Sequence, residues 1–339
     1  MSSSELGAGE FPHHARRRAR VSVATQPARV VGRRRFVHAD RLFTWTTRGF
    51  ALAVLAITMV VAGMLWNASA MSRAKFGLAF LWTSSWDPVA LKFGALPFVY
   101  GTLATSFIAI AIALPLGLLA SICLAELLPT RLADPLGFLI ELLVAVPSVV
   151  YGLVGVFVLV PFVRTTGNAL LPWLGSIPFL GGPIYGIGLL TAGILLAIMI
   201  VPFIVSISRE VLLAVPQAQR DAALALGATR WETVWKVVVP YARSGIMGSV
   251  FLALARALGE TMAVTMVIGN RPEIAASIFA PAHTMAAVLA NEFAEADGQV
   301  YLSALIEVAL VLFGITIVVN AVARLLIAAT TSQASTVRG

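Results

Sequence analysis

Residues 208–245 read SREVLLAVPQAQRDAALALGATRWETVWKVVVPYARSG and lie between two long apolar runs. The segment holds five cations, Arg209, Arg220, Arg230, Lys236 and Arg243, yet it is patterned like structure rather than like a linker. Pro216 can open a helix, because the first helical turn has no use for the N–H that proline lacks. Residues 217–226 are good helix formers and Gly227 is a stop signal. A second short helix is expected over residues 231–238, ended by Pro240. The spacing therefore predicts two short helices joined by a glycine turn, lying at a membrane surface.

Working outward from that segment, the chain becomes apolar on both sides. Of its 339 residues 59% are hydrophobic and only 12% charged, a composition outside the soluble range. A spanning helix needs roughly 20 apolar residues, and six segments supply them: 46–66, 98–124, 134–163, 185–208, 242–268 and 301–328. No segment alternates with period two as a β-barrel strand would. The expected class is an all-α membrane protein with six transmembrane helices. Its parts are a basic, disordered tail over 1–45, a six-span domain over 46–330 containing the loop 209–240, and a C-terminal tail over 331–339.

Lysine and arginine placement sets the orientation, because positive flanks stay in the cytoplasm. Ten arginines precede residue 49. With the N-terminus inside, 18 of the 24 basic residues fall on the cytoplasmic side and five outside, leaving Arg256 within a span. Both termini are expected to be cytoplasmic. The sequence Ala68-Ser69-Ala70 has the small-x-small form of a signal-peptidase site, but the long span and the tail before it argue for a retained helix.

Several function classes drop out. The single cysteine, Cys123, and four scattered histidines offer neither disulfides nor metal-ligand spacing. The arginine cluster adjoins an apolar run, which fits anionic lipid better than nucleic acid. No G-x-x-x-x-G-K-[ST] loop occurs, and the dipeptide GK is absent, so ATP is not expected to bind by the usual route. No convergent nucleophile, base or metal set suggests an enzyme.

The loop carries a more specific signal. Asp221-Ala222-Ala223, then Gly227, then Val237-x-Val239-Pro240 resembles the EAA loop of bacterial ABC importer permeases, with aspartate in place of glutamate and valines in place of isoleucine and leucine. The resemblance implies a type I importer permease of MetI-like fold in the bacterial inner membrane. Its loop would dock on a separate ATPase through Ala222, Ala223 and Gly227, with Arg220 and Asp221 at the rim. That loop is the feature that speaks against an ion-gradient-driven secondary transporter.

Span five holds the other unusual feature, RALGETMAVTMVIGN over 256–270. Arg256 lies about 21 Å into the span at 1.5 Å per residue, where a charge costs about 2.5–3.5 kcal/mol on insertion scales. Glu260 follows at i+4 on the same face, so a local ion pair is geometrically available. Gly245, Ser249, Ala253, Ala257 and Thr261 repeat every fourth position, a close-packing pattern that makes span five the expected centre. Glu141 and Glu307 are weaker candidates, expected to pack helices or lie at the interface. Glu273, Glu292, Glu295 and Asp297 outweigh Arg271 in the outer loop, which suits docking of a binding protein better than anion capture.

This segment resembles the fifth-span signature of the PstC family of phosphate importer permeases, and the likeness runs from about residue 95 to the C-terminus. A guanidinium suits a tetrahedral oxyanion, which makes Arg256 the candidate anion contact, and Glu260, which would repel phosphate, is expected to hold Arg256 in the resting state. The resemblance implies a PstA-like second permease, two PstB-like ATPase subunits that hydrolyse ATP with Mg, and an extracytoplasmic PstS-like binding protein. No cofactor is expected on this chain. Sulfate or molybdate is the nearest alternative substrate.

Overall fold

The structure, a computed structural model, describes residues 33–174, 177 and 179–336. Expectations for residues 1–32 and 337–339 lie outside these. The chain divides into a first unit ending at Ile57 and a second beginning at Thr58. In the first unit the described residues form the leading part of helix α1 (Arg33–Ala68). Residues 33–45, expected as tail, are therefore helical. No glycine or proline interrupts 33–48, and the arginines, alanine and leucine there propagate a helix past its apolar stretch. The C-terminal boundary shifts likewise, because the last helix runs on to Thr336.

The second unit continues with α2 (Ala70–Phe76), α3 (Leu96–Ile122), α4 (Thr130–Val144), α5 (Ser148–Val154), α6 (Val160–Leu174) and α7 (Leu189–Leu213). Then follow α8 (Gln217–Ala225), α9 (Arg230–Thr233), α10 (Val239–Leu258), α11 (Met262–Ile268), α12 (Met285–Glu292) and α13 (Gln299–Thr336). Among the described residues, six helical stretches are long and apolar enough to cross a membrane: 41–68, 96–127, 148–173, 189–213, 230–258 and 299–327. The count agrees with the sequence reading, and two of the spans differ.

Span three starts at Ser148, not near residue 134. Pro147 stands in an extended conformation (φ −59°, ψ 138°) and separates α4 from α5. The residue before a proline is pushed out of the helical region, so the apolar run breaks there. Glu141 consequently lies on α4, exposed and outside the span. Span five is broken as well, since α10 ends at Leu258 and α11 resumes at Met262.

Span four, not span five, is the most enclosed. Sixty-one per cent of its apolar window is buried, against 33% for spans two and five. Lipid gives helices no hydrophobic reason to associate, so small residues that let backbones approach must do it. A Cβ added to Gly193 on α7 would meet Ile108 of α3 at 2.4 Å, and one on Gly117 would meet Ile204 at 2.8 Å. On the α10 side, Gly245 opposes Val211 at 2.4 Å, and Ser249 shares a buried 2.8 Å hydrogen bond with Ser208. The small-residue stripe of span five is thus real, but its partner is span four.

Among the described residues three π turns, Cys123–Leu127, Gly155–Leu159 and Val234–Val238, each end two residues before a proline, at Pro129, Pro161 and Pro240. In every case the residue just before the proline donates its N–H five positions back: Leu128 to Cys123, Val160 to Gly155 and Val239 to Val234. A proline ring crowds the carbonyl four residues earlier, and the wider turn relieves it. Pro240 therefore does not end a helix, as expected from sequence. It sits in the first turn of α10, and 230–258 is one helical run.

At the start of α7, backbone bonds from Leu189 to Ala280 (3.2 Å) and from Leu190 to Ile278 (2.8 Å) fasten the segment before α12. Gly101 lets that segment lie on α3, since a Cβ there would sit 2.0 Å from the His283 carbonyl. Thr102 accepts a 2.9 Å bond from the Met285 N–H. The His283 ring is buried edge-on against Phe98, and its Nδ1 has no partner among the described residues.

Burial pushes the His283 imidazole down to about 4 from 6.5. The folded protein keeps this ring neutral while the unfolded chain takes up a proton, so stability is complete above pH 6.5 and falls as pH drops toward 4. The full loss is about 3 kcal/mol at 1.36 kcal/mol per pH unit. Melting of the detergent-solubilised protein should show a drop in Tm across that window, which His283→Gln should flatten; an unchanged wild-type Tm would contradict this burial.

Candidate functional site

The loop between spans four and five folds as a helix, a glycine turn and a second helix. Pro216 caps α8 from the N-terminal side. At the other end, Gly227 is left-handed (φ 86°), the Ala228 N–H reaches back to the Ala223 carbonyl at 3.1 Å, and the Gly227 N–H reaches Leu224 at 3.0 Å. This pair of bonds closes the helix in the way a glycine after the last turn allows. Thr229 and Glu232 then cap α9 reciprocally, with bonds of 3.2 and 3.0 Å. The T-x-x-E spacing is the sequence signal for that pair of bonds.

The five loop residues singled out from sequence are not all on one surface. Asp221, Ala222 and Gly227 are exposed, Asp221 accepting a 3.2 Å bond from Gln217, and Pro240 is exposed on α10. Ala223 is buried within the chain and presents no docking surface. Arg220 is not a rim charge either. Its side chain is 12% exposed, and it binds Glu126 of span two at 2.7 Å and the Leu212 carbonyl at 2.8 Å, together with the Val215 carbonyl. The exposed face instead gains Leu224, Trp231 and Leu226, the last 90% exposed.

In span five, Arg256 and Glu260 do not meet. Gly259 to Thr261 leave the helix, which removes the i+4 geometry, and no ion pair joins the two charges among the described residues. Glu260 turns forward and accepts the Ala263 N–H at 3.3 Å, where a carboxylate complements the positive end of α11. The expected resting-state ion pair is therefore absent, and Glu260 has a structural task of its own. Arg256 is exposed in the single chain, while its neighbours Ala253 and Ala257 face the buried core. Tyr151 packs on the same core cluster as Ala253 and Ala257, and it bridges the Pro147 break before span three by donating its hydroxyl to the Leu143 carbonyl at 2.8 Å.

The two broken spans also pack on each other. Gly152 of α5 lies against α11, where a Cβ would meet Met266 Sδ at 2.4 Å and the Ala263 Cα at 3.2 Å. The structure thus gathers Arg256, Tyr151 and the two interrupted helices into one region. Non-helical backbone at membrane depth is tolerated only where protein or a water-filled path surrounds it. Tyr151 and the Pro147 break were missed as partners of this region, although Pro147 was the available signal.

Residues 113–332 match the family described as "Binding-protein-dependent transport system inner membrane component". The chain belongs to this family. Curated relatives agree over nearly the whole chain: "Phosphate transport system permease protein PstC" of Mesorhizobium japonicum is 50% identical over 86% of this chain and 90% of that protein. The protein of the same name in Pasteurella multocida is 46% identical over 85% and 91%. Among solved structures, an inward-facing MetNI methionine ABC transporter chain superposes with a TM-score of 0.53 at 18% identity, covering 69% of this chain and 94% of that one, which speaks to the fold alone. The chain is thus a multi-pass membrane permease of the ABC transporter kind, not an enzyme.

Of the remaining acids, Glu292 has structural partners and Glu307 is enclosed. Glu292 accepts from Trp86 Nε1 at 2.8 Å and from the Tyr301 hydroxyl at 2.6 Å, so it does not contribute to a free acidic surface. Glu307 on span six is 5% exposed, in accord with a helix-packing role, one turn beyond Ser303, which accepts the Ser72 N–H at 3.0 Å.

Proposed function

We propose that this chain is a permease subunit of an ATP-driven importer for inorganic phosphate, forming half of the path through the inner membrane with both termini in the cytoplasm. The observation that carries the substrate is the pair of relatives named phosphate permeases, 46–50% identical along most of both chains. The other half of the path is a PstA-like second permease. Two PstB-like ATPase subunits supply ATP hydrolysis with Mg, and a PstS-like binding protein delivers phosphate from outside.

Arg256 is the anion contact in this reading. A guanidinium suits a tetrahedral oxyanion because it offers paired donors and never loses its proton. Exposure of Arg256 on the single chain, with no ion pair to satisfy it among the described residues, fits a group that completes its surroundings against a second subunit and a substrate. Glu260 contributes indirectly, by fixing the start of α11 below the break. The α8 turn docks on the ATPase through Asp221, Ala222 and Gly227, with the exposed Leu224 and Leu226 alongside, an apolar core with a charged edge as interfaces commonly have.

In proteoliposomes holding the whole complex, Arg256→Gln should lose phosphate uptake by on the order of a hundredfold, the scale of a buried charge-assisted contact, with subunit composition unchanged. Full uptake would refute the assignment, and wild-type protein that takes up sulfate or molybdate in preference to phosphate would refute the substrate. Gly227→Trp forces a bulky residue into left-handed backbone at the exposed turn. It should abolish copurification of the ATPase while leaving the permease in the membrane; normal copurification would contradict the docking role.

A further inference from the structure

Among the described residues, every side-chain hydrogen bond between α8 and the spans comes from Arg220. Its guanidinium lies between two spans at once. Nη2 donates to Glu126 Oε1 at 2.7 Å, Nε donates to both carboxylate oxygens at 3.3 Å, and Nη2 also reaches the Leu212 carbonyl in the last turn of α7 at 2.8 Å. Nη1 takes the Val215 carbonyl in the turn before α8. Both members of the pair are nearly enclosed, with 12% and 11% of their side chains exposed.

Glu126 is itself set in a deliberate place. It belongs to the π turn Cys123–Leu127 at the end of span two, the span packed most closely along the enclosed span four. The pair itself forms part of the wall of a cleft of about 370 Å³ that continues to Arg230 and Thr233. Beside that cleft α8 is held to the spans by charge rather than by solid packing. A rigid, forked, charge-assisted contact of this kind transmits displacement with little slack, whereas apolar contacts at the neighbouring Ala223 can slide.

We infer that the Arg220–Glu126 pair is the strut that carries motion of α8 into spans two and four, and so couples ATP hydrolysis to opening of the permease. Arg220 and Glu126 are positioning residues that touch neither phosphate nor ATP. The inference rests on the docking of α8 to an ATPase proposed above, and goes beyond it by separating docking from transmission.

The two can be told apart because an enclosed ion pair replaced on both sides by apolar residues of similar volume generally keeps its stability, whereas removal of one partner strands the other charge. The double variant Glu126→Met with Arg220→Met should therefore assemble with its ATPase and melt like wild type. In proteoliposomes with the complete complex and loaded binding protein, its phosphate uptake per ATP hydrolysed should fall on the order of tenfold, within the usual range for coupling between sites. Arg220→Lys should fall between, since it keeps charge and loses the fork.

Wild-type uptake per ATP in the double variant would overturn the strut. Loss of ATPase copurification in the double variant would also overturn it, by showing that the pair shapes the docking surface. Should the double variant melt well below wild type, the strut is overturned in favour of a purely structural pair if Arg220→Lys keeps wild-type uptake per ATP, and stands if that ratio falls. Failure of the docking reading shows separately, as normal copurification with Gly227→Trp.

Discussion

The close approach of spans two and five to span four is the constraint on which the rest depends. In lipid no solvent drives helices together, so contact has to come from surfaces without side-chain bulk. Gly193, Gly117 and Gly245 supply those surfaces against Ile108, Ile204 and Val211, and the Ser208–Ser249 bond satisfies the polar atoms that the approach encloses. Once span four is fixed at the centre, its two ends become anchor points. One holds the segment before α12 through Ala280 and Ile278, and the other holds α8 through Arg220.

The same packing explains where regular helix can be given up. α5 and α11 are short helices following breaks in spans three and five, and they cover each other at Gly152. Enclosure of this kind lets backbone leave the helix without unsatisfied groups facing lipid. The breaks leave Arg256 exposed on the single chain while its neighbours Ala253 and Ala257 stay in the core, which is the arrangement a subunit needs if a charge is to face a path shared with a partner.

Much of this was legible in the sequence, because length and hydropathy alone define six spans and the D-A-A, glycine and proline spacing defines the loop. What escaped was set by contacts between distant residues. Arg220 reads as a surface charge until Glu126, 94 positions earlier, is brought beside it. Span five reads as continuous because Gly259 and Thr261 are both compatible with a transmembrane helix, and the bond that the Ala263 N–H donates to Glu260 marks where the chain restarts. The π turns were partly readable, since a proline stands two residues beyond each, but a proline alone does not distinguish a widened turn from a helix end, and Pro240 was misread for that reason.

In the proposed reading Arg256 lines a path that opens during ATP-driven transport. The chain has one native cysteine, Cys123, so a Cys123→Ala background makes a single introduced thiol informative. In that background Arg256→Cys, assembled into the full complex in vesicles, should react with a membrane-impermeant thiol reagent faster when ATP is being hydrolysed. Because the path through the membrane is shared, the introduced thiol should also be protected when cysteine-free binding protein loaded with phosphate is added. A thiol at that position that stays unreactive throughout, or reacts equally in every condition, would contradict the account.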